Sequence, residues 1–227
     1  MTRQDEALCF DMYGTLCDTS SVREEISDVF GITESFGASV DELWRRKQLQ
    51  YSYQSAQMGE YETFWEITSK ALDYSVDFYS LDASSDETER LMEAYDSLDP
   101  FPDSLDALDS LSDGYRLAVL SNGNPDMLER LAENTGIDGY VDDIISADEV
   151  SDFKPSPVVY ENAADRLDRQ IGNCRLVSSN AWDIAGASQA GMATAWVNRK
   201  TEPEERVGGE PDLVVESLSD LAEELTS

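Results

Sequence analysis

Histidine is missing altogether from this 227-residue chain. Its absence excludes Ser-His-Asp and Cys-His nucleophilic pairs, imidazole metal ligands and an imidazole general base. Chemistry must come from Asp, Glu, Lys, Arg, Tyr, Ser or Asn. Cysteine is scarce: Cys9, Cys17 and Cys174 are too few and too scattered for a disulfide framework, and are expected as small buried hydrophobes. Positive charge is also scarce, with 16 Lys and Arg against 48 Asp and Glu, a formal net charge of −32. Lysine occurs only as Lys47, Lys70, Lys154 and Lys200. So negative a surface repels nucleic acid and anionic membranes, and neither is an expected partner. No apolar run approaches the roughly 18 residues of a membrane span. The polar start, Met1 to Glu6, does not read as a signal peptide. The expected location is the cytoplasm.

Hydrophobic residues make up 41% of the chain, enough to fold, so the acidity is not a signature of disorder. Acid-rich, lysine-poor composition fits a salt-adapted (halophilic) cytoplasm, where a Debye length of about 3 Å at molar salt screens self-repulsion. An acidic protein from an ordinary cytoplasm is the alternative.

Short apolar runs at Ala7–Phe10, Arg116–Leu120, Asp143–Ser146, Arg175–Val177, Thr194–Val197 and Leu213–Val215 read as buried strands. Helical patterns at Asp103–Leu111, Pro125–Asn134, Pro155–Leu167 and Ile184–Ala190 separate them. The alternation predicts an α/β fold, a Rossmann-like parallel sheet with helices on both faces. Residues 19–98 are polar and helical in pattern, with an apolar stripe at Val40, Leu43, Trp44, Leu49 and Tyr53 and punctuation at Gly31, Gly37 and Gly59. About 80 residues exceed an ordinary βα connection. The region reads as an inserted helical cap, closed by the turn signal Asp99-Pro100-Phe101-Pro102. The expected domains are a core of 1–18 and 99–227 and a cap of 19–98. An acidic, solvated helix is expected at Ser217–Thr226.

Ligands of open parallel sheets bind beyond the carboxyl ends of the strands. Those ends carry Asp11-Met12-Tyr13-Gly14-Thr15-Leu16, Ser121-Asn122-Gly123, Phe153-Lys154-Pro155 and Ser178-Ser179-Asn180-Ala181-Trp182-Asp183. A carboxylate, a hydroxyl, an ammonium and a second carboxylate would share one edge. In type and order these residues resemble the four motifs of the haloacid dehalogenase superfamily. Together with Leu43-Trp44-Arg45-Arg46-Lys47-Gln48-Leu49 and Tyr160 they resemble the L-2-haloacid dehalogenase family in particular.

The resemblance implies hydrolysis of short (S)-2-haloalkanoic acids, such as 2-chloropropionate or a haloacetate, with inversion at C2. It implies no metal and no organic cofactor, and partners limited to the small 2-haloacid, its halide and a second copy of the chain. Tyr51 and Tyr53 are the exposed-looking aromatics of the cap. Phosphatases of the superfamily have an acid two residues after the nucleophile, where this chain has Tyr13, and Gly-Asp in the fourth motif, where it has Ser179-Asn180. A halide needs no proton to leave, and an amide in place of a carboxylate weakens a hard-cation site. A Mg-dependent phosphatase of small phosphate esters is the alternative activity. A non-catalytic scaffold would be marked by loss of Asp11 or Lys154, and both are present.

The expected nucleophile is Asp11, attacking C2 to form an ester that water then cleaves. Lys154 would keep it ionised. By resemblance Arg45 takes the halide with help from Asn122; a surface ion pair is the alternative for Arg45. Ser121 is expected on the substrate carboxylate, at a helix N-cap, or both. Asp183, with Asn180 and Ser178, would position and deprotonate water, or serve a helix dipole. Tyr13, Thr15 and Tyr160 would line the pocket and hydrogen-bond around Asp11, Tyr160 having plain core packing as its alternative. Leu49, Phe64 and Trp182 sit where the family has apolar pocket residues, and each also fits simple packing.

Overall fold

The computed structural model describes residues 5–227. Of the polar segment 1–6, the first four residues lie outside the described residues. The chain divides into two compact units, Met1–Asp18 with Pro100–Ser227, and Thr19–Asp99.

The first unit is built on strands β1 (Ala7–Phe10), β4 (Arg116–Ser121), β5 (Asp143–Ser146), β6 (Cys174–Ser178), β7 (Ala193–Val197) and β8 (Leu213–Val215). They form one parallel sheet in the order β5-β4-β1-β6-β7-β8. Two-residue strands β2 (Cys17–Asp18) and β3 (Asp99–Pro100) pair separately. β1 is buried throughout because it is central and covered on both faces, which is why it reads as a continuous apolar run. Helices α5 (Ser104–Ser112), α6 (Pro125–Thr135), α7 (Pro157–Arg166), α8 (Ala181–Ala190) and α9 (Leu218–Thr226) follow the strands.

Period-two alternation separates two cores. Ala7, Cys9, Ala118, Leu120, Leu176 and Trp196 pack with Val159 and Ala163 of α7, Leu167 just past its end, and Ile184 and Ala187 of α8. Leu8, Phe10, Leu117, Val119 and Val177, the alternate residues, are equally buried. Cutting Leu176 to Ala would cost about 2–5 kcal/mol. The three cysteines are buried free thiols. α9 departs from expectation: Leu218, Leu221 and Ala222 are buried, and the helix packs on α5 rather than standing in solvent.

The chain runs from β1 to β4 to β5 on one side and then crosses to β6 on the other. The switch point therefore falls between β1 and β6, where Phe10 pairs with Val177 and the Asp11 N–H donates to the Val177 carbonyl at 2.9 Å.

The second unit holds helices α1 (Ser21–Phe30), α2 (Glu34–Met58), α3 (Phe64–Phe78) and α4 (Ser85–Glu93). Thr63 with Glu66 and Ser84 with Glu87 form capping boxes on α3 and α4. Gly31 and Gly59 end α1 and α2 at φ 59° and 71°. Gly37 is no break. It lies inside α2, where an added Cβ would stand 2.2 Å from Ser27 Oγ, so it is the contact point for α1. The buried stripe of α2 continues from Val40 and Trp44 through Gln48, Ser52 and Ser55, and not through Leu49 and Tyr53. Helical spacing favours the former set, and polar bonds make its burial possible. Gln48 Nε2 donates to Thr68 Oγ1 at 2.7 Å, and Trp44 Nε1 to the Thr68 carbonyl at 2.9 Å. Among the described residues no helix is long and apolar enough to cross a membrane.

Candidate active site

The loop after β1 turns back on itself because Gly14 adopts φ 81°, a left-handed conformation that side chains resist. The Leu16 and Cys17 N–H groups donate to the Met12 carbonyl at 3.1 and 3.0 Å. This turn returns Thr15 to Asp11, which is itself only 6% exposed.

The two oxygens of Asp11 have different surroundings. Oδ1 accepts from Lys154 Nζ at 3.2 Å. Oδ2 accepts from Asn180 Nδ2 at 2.8 Å, Thr15 Oγ1 at 3.3 Å and Ser178 Oγ at 3.4 Å. The hydroxyl protons are aimed by their own backbone donors. Thr15 Oγ1 accepts from the Ser179 N–H at 2.8 Å, and Ser178 Oγ from the Asn180 N–H at 3.1 Å. Each hydroxyl must then send its proton to Asp11. Asn180 opens α8 without capping it by its side chain, which serves Asp11 instead.

Lys154 is buried, and its Nζ also donates to Asp183 Oδ2 at 2.8 Å. Burial alone would push the ammonium down, but the Asp11 and Asp183 carboxylates outweigh it and raise it above its ordinary value. The loop that carries Lys154 is held by Asn122, whose Oδ1 accepts from the Lys154 N–H at 2.8 Å. Asp183 is fully buried in the first turn of α8. Burial, with the Asp11 charge adding to it, raises its carboxyl against the pull of Lys154.

Several expected placements need correction. The Tyr160 hydroxyl is turned to Asp183, donating to its Oδ1 at 2.7 Å, because α7 packs on α8. The Asn180 and Ser178 side chains bond Asp11, and toward Asp183 Asn180 turns its carbonyl, which accepts the Asp183 N–H at 3.0 Å. Ser121 is not the cap of α6, a place taken by Asn124, and its Oγ accepts from the Gly123 N–H at 3.4 Å. Pro157, not Pro155, occupies the first turn of α7. Tyr13 lies against Gly123, where an added Cβ would meet its ring at 3.1 Å. Trp182 is half-buried at the start of α8.

Arg45, Leu49 and Phe64 belong to the helical unit. Phe64 is buried, Leu49 half-buried, and Arg45 is bound through Nε to Asp41 Oδ1 at 2.9 Å. Gly186 escaped the sequence reading. An added Cβ there would stand 2.3 Å from Pro155 and 2.9 Å from the Tyr160 hydroxyl, so only glycine lets α8 close on the Lys154 loop. A helix-interior glycine, costing about 1 kcal/mol, was the available signal.

A divalent cation does not fit these residues. It needs several oxygen acceptors, whereas Asp11 is ringed by donors. Asn180 presents its NH₂ group, since both its neighbours, Asp11 Oδ2 and the Tyr13 carbonyl at 3.3 Å, are acceptors. Among the described residues no group of three or more Asp, Glu, Cys or His is placed to hold a metal.

The model of the haloacid dehalogenase-like hydrolases matches residues 6–191 of the chain. "(S)-2-haloacid dehalogenase 1" of Pseudomonas sp. (strain CBS-3) is 38% identical over 217 residues, 95% of this chain and 94% of that protein. "Haloacetate dehalogenase H-2" of Moraxella sp. (strain B) is 36% identical over 211 residues, 92% of this chain and 93% of that protein. Among solved structures, the L-2-haloacid dehalogenase of Xanthobacter autotrophicus with chloropropionic acid covalently bound superposes with a TM-score of 0.90 at 32% identity, covering 98% of both chains.

Proposed function

The chain belongs to the haloacid dehalogenase-like hydrolases, alongside the (S)-2-haloacid dehalogenases, and on that premise we propose that it hydrolyses short (S)-2-haloalkanoates to (R)-2-hydroxyalkanoates through an ester on Asp11. The observation that carries the proposal is the division of labour across the Asp11 carboxylate, one oxygen on a cation and the other on three neutral donors.

Oδ1 is the attacking oxygen. It forms a bond to C2 from the face opposite the halogen, halide departs with the bonding pair, and C2 inverts. Lys154 keeps the carboxylate ionised until that moment. Ser121 takes the substrate carboxylate. Arg45 receives the halide with Asn122, an assignment resting on the resemblance of Trp44 and of Lys47-Gln48-Leu49 around it. Tyr13 and Trp182 border the space for a small C2 substituent, while the pocket role of Leu49 and Phe64 rests on the resemblance alone.

Water next adds to Cγ of the ester. Asp183 takes its proton, a task suited to a carboxyl held above its ordinary value. Negative charge gathers on Oδ2, where Asn180, Thr15 and Ser178 already donate. One such donor is worth about 10²–10³ in rate. The Cγ–Oδ1 bond then breaks, the hydroxyacid leaves with the proton, and Asp11 keeps one oxygen from solvent.

Phosphoryl transfer is disfavoured by the same donor ring, which leaves no place for the cation it needs. Turnover in heavy-oxygen water separates the readings. Label should accumulate in Asp11, halide release should survive chelator, and Asp11→Asn should release no halide. Label passing only into product, or chelator-sensitive cleavage of a phosphate ester without halide release, would overturn the proposal.

A cytoplasmic, salt-adapted homodimer completes the reading. The charge of −32 supports the salt adaptation, and Tyr53, Tyr74, Phe78 and Met58, exposed on the helical unit, support a second copy as partner. Sedimentation at high salt should give twice the chain mass.

A further inference from the structure

We infer that Asp41 is the positioning residue for Arg45, and that Arg23 supplies the counter-charge that lets it serve without cancelling the cation. The inference rests on the assignment of Arg45 to the departing halide.

Asp41 and Arg45 are four residues apart on α2, a spacing that on a helix surface contributes only tenths of a kcal/mol. This pair is not on the surface. The Asp41 side chain is 1% exposed, in the middle of a 25-residue helix where a short carboxylate is a poor helix former. The next residue along makes the contrast. Arg46 reaches Glu42 at 3.8 Å with both side chains largely exposed, an ordinary solvated pair. A carboxylate taken out of water has to be compensated. Asp41 is compensated twice, by Arg45 Nε at 2.9 Å on Oδ1 and by Arg23 Nε, from α1, at 2.8 Å on Oδ2.

The geometry fixes Arg45 at two points. Nε is tied to Asp41, and Nη2 donates to the Thr19 carbonyl at 3.2 Å. A guanidinium on three methylenes would otherwise spread over many rotamers, and an anion would have to order it at each encounter. The charge count explains the third member. Asp41 and Arg45 alone sum to zero and would hold an anion weakly. Arg23 returns one positive charge to the three side chains joined by these pairs, so orientation is gained and attraction kept. Tyr95, the nearby phenol, is buried and pushed up to about 12 by that burial, so it stays neutral and leaves the count unchanged.

The test uses the whole enzyme with 2-chloropropionate, enzyme in excess, and halide release followed in a single turnover. Asp41→Ala should slow halide release by about tenfold to a hundredfold, the usual effect of a misplaced group. Asp41→Asn, which keeps an acceptor for Nε, should restore most of the rate. Arg23→Gln removes that positive charge and should weaken inhibition by bromide several-fold in a variant that circular dichroism shows to be folded. A purely structural role would not move bromide inhibition in a folded variant. Halide release within twofold of wild type in Asp41→Ala, while Arg45→Gln abolishes it, would overturn the inference and leave the Arg45 assignment standing. An unaffected Arg45→Gln would instead remove the assignment itself. If Asp41→Ala fails to fold, unchanged bromide inhibition in Arg23→Gln overturns the inference.

Discussion

Replacing Lys154 with methionine keeps most of the length of the side chain and removes its charge. In the wild type the ammonium sits 3.2 Å from Asp11 and 2.8 Å from Asp183, with 1% of the side chain exposed. At an effective dielectric of about 20 these attractions are about 5 and 6 kcal/mol before the desolvation of the ammonium is subtracted. Removing one partner of a buried pair costs about 3–5 kcal/mol net. Here the loss falls on two carboxylates that then face each other without a cation. The pair then binds a proton more readily, so a smaller share of the enzyme presents an ionised Asp11 to C2. At about 1.4 kcal/mol per decade the first step should fall by roughly two to four decades. The sign of the pH dependence is diagnostic. Without the cation the carboxyls ionise at higher pH, so the residual halide-release rate of Lys154→Met should climb as pH rises from 6 to 9. Single-turnover halide release across that range measures it. A variant within tenfold of wild type, or a residual rate flat with pH, would refute the pairing of Lys154 with the nucleophile.

Asp183→Asn should form the ester but not cleave it, so intact mass after incubation with 2-chloropropionate should rise by one carboxyethyl unit and stay there; an unshifted mass with normal turnover would contradict the base assignment. Asp103 gives a stability test. Burial opposes its ionisation, yet the Arg199 guanidinium and the Leu218 N–H outweigh that and hold the carboxyl below its ordinary 3.8. A depressed carboxyl stabilises the fold above its unfolded value and loses that contribution as pH falls through its folded one. Asp103→Asn should therefore be about 1–2 kcal/mol less stable than wild type at pH 7, with the gap closing below pH 3.8, as read by urea midpoints at both pH values. At a net charge of −32, raising potassium chloride from about 0.1 M, where the Debye length is about 10 Å, to about 1 M should raise the melting temperature; a flat or falling trend would remove the salt-adapted reading.

Strand positions were legible because burial on both faces leaves an unbroken apolar run, and β1 falls on the expected Ala7–Phe10. Helix starts were less so. α8 begins at Ala181 and not Ile184, because Asn180 takes the cap position while giving its side chain to Asp11. That Asp11, Lys154 and Asp183 come together was legible for a topological reason: each follows a parallel strand, and the carboxyl ends of such strands share an edge. Their partners were not. Which of Asp11 and Asp183 would receive Tyr160, or that Gly186 must be bare for α8 to approach Pro155, depends on distances between helices that no local pattern encodes. The α2 stripe misled for a related reason, since Gln48 and Ser52 are buried by bonds supplied from outside their own periodic set or from the turn above.

Charge accounts for what remains. The fold buries Asp11, Asp41 and Asp183 but one lysine, Lys154, among the described residues. Asp11, Asp183 and Lys154 together carry −1, and the proposed substrate arrives with a carboxylate and sheds an anion. Attack by one anion on another cannot rely on Lys154, whose charge is already spent on the nucleophile and its neighbour. Cation from elsewhere is needed, and in a chain with 16 basic residues there is little to spare. On the proposed assignment of Arg45 to the halide, that scarcity gives a reason for Arg45 not to be left as a bare surface arginine. A fixed guanidinium requires a buried anchor, a buried carboxylate anchor consumes the charge it holds, and a second arginine restores it. Arg23, Asp41 and Arg45 are the smallest set that satisfies all three conditions at once.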